Sequence, residues 1–235
     1  MMFPQVEIMA TIREARNDNV SMSEIRTSGP KNAAVHLVLA HGAGAPMTSP
    51  FLEMITGLLT DRGLRVSRFE FAYMARRRQD GKRRPPPKAE LMIPEYVELV
   101  AQLCKDLPRR QKLLIGGKSM GGRIASLCAD QLYAEDKIAG LVCLGYPFHP
   151  PGKPDKLRTA HLENLRCRAL IVQGERDPFG NRAETETYTL SSAIKIDWIS
   201  DGNHDLSPKR GSAFTRAGNF AAASDSVSNF AQNLD

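Results

Sequence analysis

The chain has 235 residues, 42% of them hydrophobic, which is enough to bury one large core without requiring a second domain. Its net charge of +6 is concentrated between Ala75 and Lys88, where Arg76, Arg77, Arg78, Lys82, Arg83, Arg84 and Lys88 face only Asp80. The balance of charge elsewhere excludes a uniformly basic nucleic-acid-binding surface, and no apolar run approaches a membrane-spanning length.

The N-terminus has Glu7 where a secretory signal needs an unbroken apolar run, so a soluble, cytoplasmic protein of one domain (residues 1–235) is expected. Cys104, Cys128, Cys143 and Cys167 are widely spaced with no C-x-x-C pair. They read as reduced, buried, small apolar side chains.

In chain order, the first 30 residues read as an edge hairpin. The run 33–40 is a buried parallel strand followed by the glycine-rich loop His41–Pro46. Ser49-Pro50 then opens a helix carrying Leu52, Ile55 and Leu59, stopped at Gly63. The next strand spans 64–73 and runs into the basic, proline-rich loop. Pro94 opens a helix with Ile93, Val97, Val100 and Cys104 on one face, and 112–117 is a strand. Ile124, Leu127, Cys128 and Leu132 mark the helix after it. Strands at 138–147 and 167–177 are separated by a proline-rich piece and a helix up to about Leu165, a small cap. A strand at 193–200 and a helix with Phe220, Val227, Phe230 and Leu234 close the chain. Strands alternating with helices predict an α/β fold with a mostly parallel central sheet.

The segment Gly116-Gly117-Lys118-Ser119 invites two readings. A phosphate-binding P-loop needs a glycine where this chain has Lys112, and that reading fails. A nucleophile elbow needs strand, Gly-x-Ser-x-Gly and helix, and Gly117-Lys118-Ser119-Met120-Gly121 meets it in context. Its partners should follow as acid and then histidine, each after a later strand. Asp177 and His204 do so, 58 and 27 residues apart. Asp201 and Asp205 lie near His204 in sequence and are alternative acids. The oxyanion hole needs the N–H after the nucleophile, from Met120, and one from the His41–Pro46 loop, assigned to Ala43. His41 reads as structural, its ring tying that loop in place, and His36, His149 and His161 as incidental.

The motifs LAHGAGAP, GGKSMGG, QGERDPFG and DGNHDLSPK together resemble the α/β-hydrolase superfamily over roughly residues 33–235. The resemblance is to the dienelactone-hydrolase-like branch. That branch includes a testis-expressed hydrolase-like protein and the hydrolase-like subunit of the non-specific-lethal histone acetyltransferase complex. It implies an α/β-hydrolase fold with minimal or no lid, a Ser119-Asp177-His204 triad, no metal and no cofactor, and leaves the substrate open.

The expected activity is acyl transfer to water from a small ester, thioester or amide. The alternative is a non-catalytic protein-binding module that keeps the fold. Lys118, Arg83 and Arg84 are candidate contacts for an anionic substrate. A nucleic-acid role for the basic loop is set aside because it has no aromatic residues for stacking, and three consecutive prolines favour an extended, solvated segment. The sequence does not specify the oligomeric state.

Overall fold

The computed structural model describes residues 24–234. Seven strands form one sheet: β1 Ile25–Ser28, β2 Val35–Ala40, β3 Arg65–Phe69, β4 Lys112–Lys118, β5 Gly140–Leu144, β6 Ala169–Gly174 and β7 Ile194–Ile199. Their order is β1-β3-β2-β4-β5-β6-β7. Neighbours are parallel except β1, which pairs antiparallel with β3, Ile25 opposite Phe69. A parallel sheet covered on both faces needs strands apolar on both, and β2, β5 and β6 are buried at every residue.

Helices α1 Pro50–Asp61 and α6 Arg216–Gln232 cover one face, where Leu52, Ile55, Phe220 and Val227 cluster with Leu37, Leu39, Leu114 and Val172. Helices α2 Ala72–Asp80, α3 Ala89–Asp106 and α4 Met120–Ala134 cover the other, Tyr96, Ile124 and Cys128 clustering with Val38, Ile115 and Cys143. α5, Arg182–Thr185, is a single turn. β2 connects to β3 on one side of the sheet, and β4 continues to β5 on the other. The carboxyl ends of β2 and β4 therefore frame the crevice where open α/β sheets bind ligands.

Several expected elements differ. The strand read as 64–73 ends at Phe69, and residues 72–80 are helical, so Arg76, Arg77 and Arg78 lie on α2 and only 81–88 form the loop. That helix is mostly polar and buries only Tyr73 and Met74, which leaves little periodicity to read. α3 starts at Ala89 with Pro94 inside it, and its buried face is Met92, Tyr96, Leu99 and Val100. Ile93, Val97 and Cys104 pack at its margin. The cap helix up to Leu165 is absent; 147–166 is a series of turns anchored by buried Phe148, Leu162 and Leu165. Residues 25–28 form an edge strand on β3; the rest of the expected hairpin falls in residues 1–23, outside the described part. The four cysteines are free thiols, each pushed up in pKa by burial. Among the described residues no helix is long and apolar enough to cross a membrane.

Candidate active site

β4 ends at Lys118, and the backbone turns at Ser119 with φ 52° and ψ −116° before α4 begins. Such a conformation costs a non-glycine residue roughly 1–3 kcal/mol and persists only where the surroundings over-determine it. Here they do. A Cβ at Gly117 would lie 2.6 Å from the Ala40 oxygen, and one at Gly121 would lie 2.6 Å from both the Ala40 and His41 oxygens. No larger residue fits either outer position of the elbow. The Ser119 N–H donates to the Leu144 carbonyl at 3.0 Å, tying the turn to the end of β5. The hydroxyl makes no capping bond to α4, so it is not a helix cap.

The loop after β2 lies against this turn, with the Ser119 Cβ 3.8 Å from where a Cβ of Gly42 would sit. His41 is fully buried. Its Nε2 accepts from the Phe71 N–H at 3.2 Å, so Nδ1 carries the proton it donates to the Gly42 carbonyl at 2.7 Å. Burial lowers the pKa of the ring and keeps it neutral, and it ties the loop to the start of α2. Tyr73, from α2, donates to the Ala43 carbonyl at 3.1 Å with its oxygen 3.9 Å from the Met120 sulfur. This hydroxyl joins the two segments that carry Ala43 and Met120. Among the described residues, neither of those N–H groups enters a hydrogen bond.

Asp177 sits in the turn after β6, fully buried, its N–H donating to the Gly174 carbonyl at 3.0 Å. Its Oδ2 accepts from His204 Nδ1 at 2.8 Å and from Gln173 Nε2 at 3.0 Å, and its Oδ1 accepts from the Phe179 N–H at 2.9 Å. The alternative acids are engaged elsewhere: Asp201 pairs with Arg176 at 2.6 Å, and the exposed Asp205 faces Lys118 at 3.4 Å. The His204 ring stacks on Phe179 with centroids 4.2 Å apart. With Nδ1–H donated to Asp177, the basic lone pair is on Nε2. Gly145, at the end of β5, links the two halves. A Cβ there would lie 3.3 Å from His204 Nδ1 and 2.9 Å from Lys118 Nζ. Ser119 and His204 thus both abut the Leu144–Gly145 junction. No hydrogen bond joins the Ser119 hydroxyl to the imidazole among the described residues.

Lys118 does not face the crevice. Its side chain is buried, its Nζ donates to the His204 carbonyl at 2.5 Å, and it lies 5.0 Å above the Phe51 ring. Burial brings its pKa down to about 8, against the opposing pull of Asp205 and Asp177. The substrate contact expected of it gives way to support of the histidine loop. Arg83 and Arg84 do reach the site's edge: with Ala43, Gly44, Arg77, Pro85 and Pro86 they line an open groove of about 550 Å³. Arg77 donates to the Gly44 carbonyl at 3.1 Å, and Arg84 pairs with Asp80 through both Nη atoms; the exposed Arg83 has no ion pair among the described residues.

The other histidines are held by neighbours: His36 to Ser67 at 2.8 Å, His161 to Ser126 at 2.8 Å and His149 to Glu184 at 3.3 Å. Among the described residues no three His, Cys, Asp or Glu side chains cluster so as to hold a metal ion. Sequence reasoning missed Tyr73 and Gln173. Gln173 left a signal, a polar residue in an otherwise apolar strand; Tyr73 fell in a segment read as strand.

A family model described as an alpha/beta hydrolase domain matches residues 33–232. The chain belongs to the α/β hydrolases. Among solved structures, this α/β hydrolase is similar to a dienelactone hydrolase from Anabaena variabilis, at 18% identity, 92% of this chain, 95% of that one and TM-score 0.67. It is also similar to an α/β serine hydrolase without a lid from Xanthomonas campestris, at 15% identity, 88% and 89% coverage and TM-score 0.63. A serine hydrolase homologue from Coxiella burnetii matches at 17% identity, 91% and 92% coverage and TM-score 0.62. At these identities the likeness establishes the fold alone.

Proposed function

We propose that this α/β hydrolase is a serine hydrolase, a carboxylesterase or thioesterase of small acyl substrates, with Ser119 as nucleophile, His204 as base and Asp177 as the orienting acid. The observation that carries the reading is the hydrogen bond from His204 to the buried Asp177, at the sheet edge where Ser119 is held in a strained turn. His204 Nε2 takes the Ser119 proton as the hydroxyl attacks the acyl carbon, and Asp177 stabilises the imidazolium that forms. The N–H groups of Met120 and Ala43 receive the oxyanion, each such bond contributing on the order of 3 kcal/mol in the transition state. His204 returns the proton to the leaving group. Water, deprotonated by the same nitrogen, then releases the acid and regenerates Ser119. The Ser119–imidazole bond forms on substrate binding; in unliganded enzymes catalytic hydrogen bonds are commonly long. Arg83 and Arg84 border the oxyanion side, where they attract anionic substrates.

A non-catalytic binding module is the second reading, favoured by the lack of a Ser119–His204 hydrogen bond among the described residues. Turnover of a p-nitrophenyl ester panel separates them. Ser119→Ala and His204→Ala are expected to lower kcat by about a thousandfold or more while leaving the melting transition cooperative. Turnover that survives Ser119→Ala removes the proposal.

A further inference from the structure

We infer that Lys118 is a positioning residue for His204: its ammonium ties the main chain of the histidine loop to the strand that carries the nucleophile. The role in turnover rests on the serine hydrolase proposal; the tie itself does not. Lys118 is the last residue of β4, directly before Ser119, and its side chain is buried. Its Nζ donates to the His204 carbonyl at 2.5 Å, lies 3.4 Å from Asp205 Oδ1 and stands 5.0 Å above the Phe51 ring of α1. A Cβ at Gly145 would lie 2.9 Å from that nitrogen, 3.0 Å from the His204 carbonyl oxygen and 3.3 Å from His204 Nδ1. The bond thus passes over the end of β5 where a glycine, at φ 68°, leaves room for it.

Other bonds shape the histidine loop or join it to its neighbours. Asn203 Oδ1 accepts from the N–H groups of Asp205 and Ser207 at 2.9 and 3.0 Å. Asn219 Nδ2, on α6, donates to the carbonyls of Ser200 and Leu206 at 3.1 and 2.8 Å, and the Arg176 N–H donates to the Gly202 carbonyl at 2.9 Å. The His204 ring is held at Nδ1 by Asp177 and on its face by Phe179. The Lys118 bond runs instead from the residue beside the nucleophile to the residue that carries the base, so any drift of the loop from the elbow stretches it. A bond from an ammonium is about twice as strong as one between neutral groups.

The charged and titratable groups facing the ammonium are Asp205 and the His204 imidazole on the histidine loop and Asp177 in the turn after β6, while α1 presents the neutral Phe51 ring. Burial brings the lysine pKa down to about 8 against the pull of the two carboxylates. Above that pH the neutral amine donates more weakly and Asp205 loses its counter-charge, so the tie slackens. The fold gains stability over the same range, because the unfolded chain still holds the proton, so a decline in turnover there is not unfolding.

The test is the pH dependence of kcat toward p-nitrophenyl acetate, from about pH 6 to about pH 10, with nitrogen NMR of the His204 imidazole over the same range. Wild-type kcat is expected to fall with a midpoint near pH 8, and the imidazole signals to shift at that midpoint. In Lys118→Met, kcat at neutral pH should be lower by about tenfold or more with KM changed less than about twofold, and both inflections should vanish. Asp205→Asn, at an exposed carboxylate, should move both inflections to lower pH, since a group that raises the lysine pKa is gone. Lys118→Arg keeps the charge and should recover part of the lost kcat without either inflection. A lysine that only packed would cost stability in Lys118→Met and leave the pH profile alone. Unchanged kcat in a cooperatively melting Lys118→Met, or inflections that persist in it or stay in place in Asp205→Asn, overturns the inference. Where Lys118→Met does not melt cooperatively, Asp205→Asn decides. Wild-type protein without turnover removes the serine hydrolase reading instead, and the imidazole signals then decide whether the tie exists.

Discussion

Asp177 is fully buried yet accepts three hydrogen bonds, from His204, Gln173 and the Phe179 backbone. A carboxylate out of water stays useful to a neighbouring imidazole only with such donors around it. Gln173→Leu removes one of them and also leaves the Tyr146 N–H, which donates to Gln173 Oε1 at 2.7 Å, without its acceptor. The expected cost is about 1–3 kcal/mol in urea unfolding, with a lowered kcat toward esters. Lys118 gives a pH signature with a definite sign. It titrates at 10.5 in the unfolded chain and at about 8 in the fold, so between those values the unfolded state holds a proton the folded state has released. Its contribution to stability is least below pH 8 and rises as pH climbs toward 10.5. In Lys118→Met the gain in unfolding free energy between pH 8 and 10 should be smaller by on the order of 2 kcal/mol. Equal pH slopes in the two proteins would contradict the burial argument.

Among elements, the β4–α4 elbow is the most constrained. Ser119, Asp177 and His204 were legible as candidates because each falls where a strand gives way to a turn, and chain order suggested the roles proposed for them. The Gly-x-Ser-x-Gly spacing was legible for a steric reason, since Cβ atoms at Gly117 and Gly121 would meet backbone oxygens at 2.6 Å. Backbone atoms cannot move aside as a flexible side chain would. Gly117→Ala should therefore destabilise by about 3 kcal/mol or more in urea unfolding and abolish turnover, whereas Gly44→Ala, whose Cβ meets nothing within 4 Å, should melt as the parent does. Helix α2 was not legible. Its run of arginines reads as a solvated loop, and only the tertiary burial of Tyr73 and Met74, with Gly81 closing it at φ 69°, makes it helical. Calling 147–166 part helix erred for the opposite reason: Leu162 and Leu165 are buried by turns at a spacing that resembles one helical turn.

Across the whole molecule, the net charge of +6 is carried by one stretch, Ala75 to Lys88. From it Arg77, Arg83 and Arg84 line the open groove beside Ala43 and Gly44. That cluster was visible as a charge run. Exposed charges act at range and are screened by salt. For a carboxylated ester, kcat/KM should fall several-fold between low and physiological ionic strength, and that slope should shrink in Arg83→Ser. A neutral ester should show little salt dependence in either protein. Ser119 follows β4, and the Asp177–His204 pair lies past the carboxyl ends of β6 and β7; the nucleophile assigned there is the central claim. Its most direct measurement is reaction with a fluorophosphonate probe followed by peptide mapping of the adduct. One equivalent of adduct on Ser119, absent in Ser119→Ala and slowed in His204→Ala, is the expected result; an unlabelled folded protein, or an adduct mapped to another residue, would contradict it.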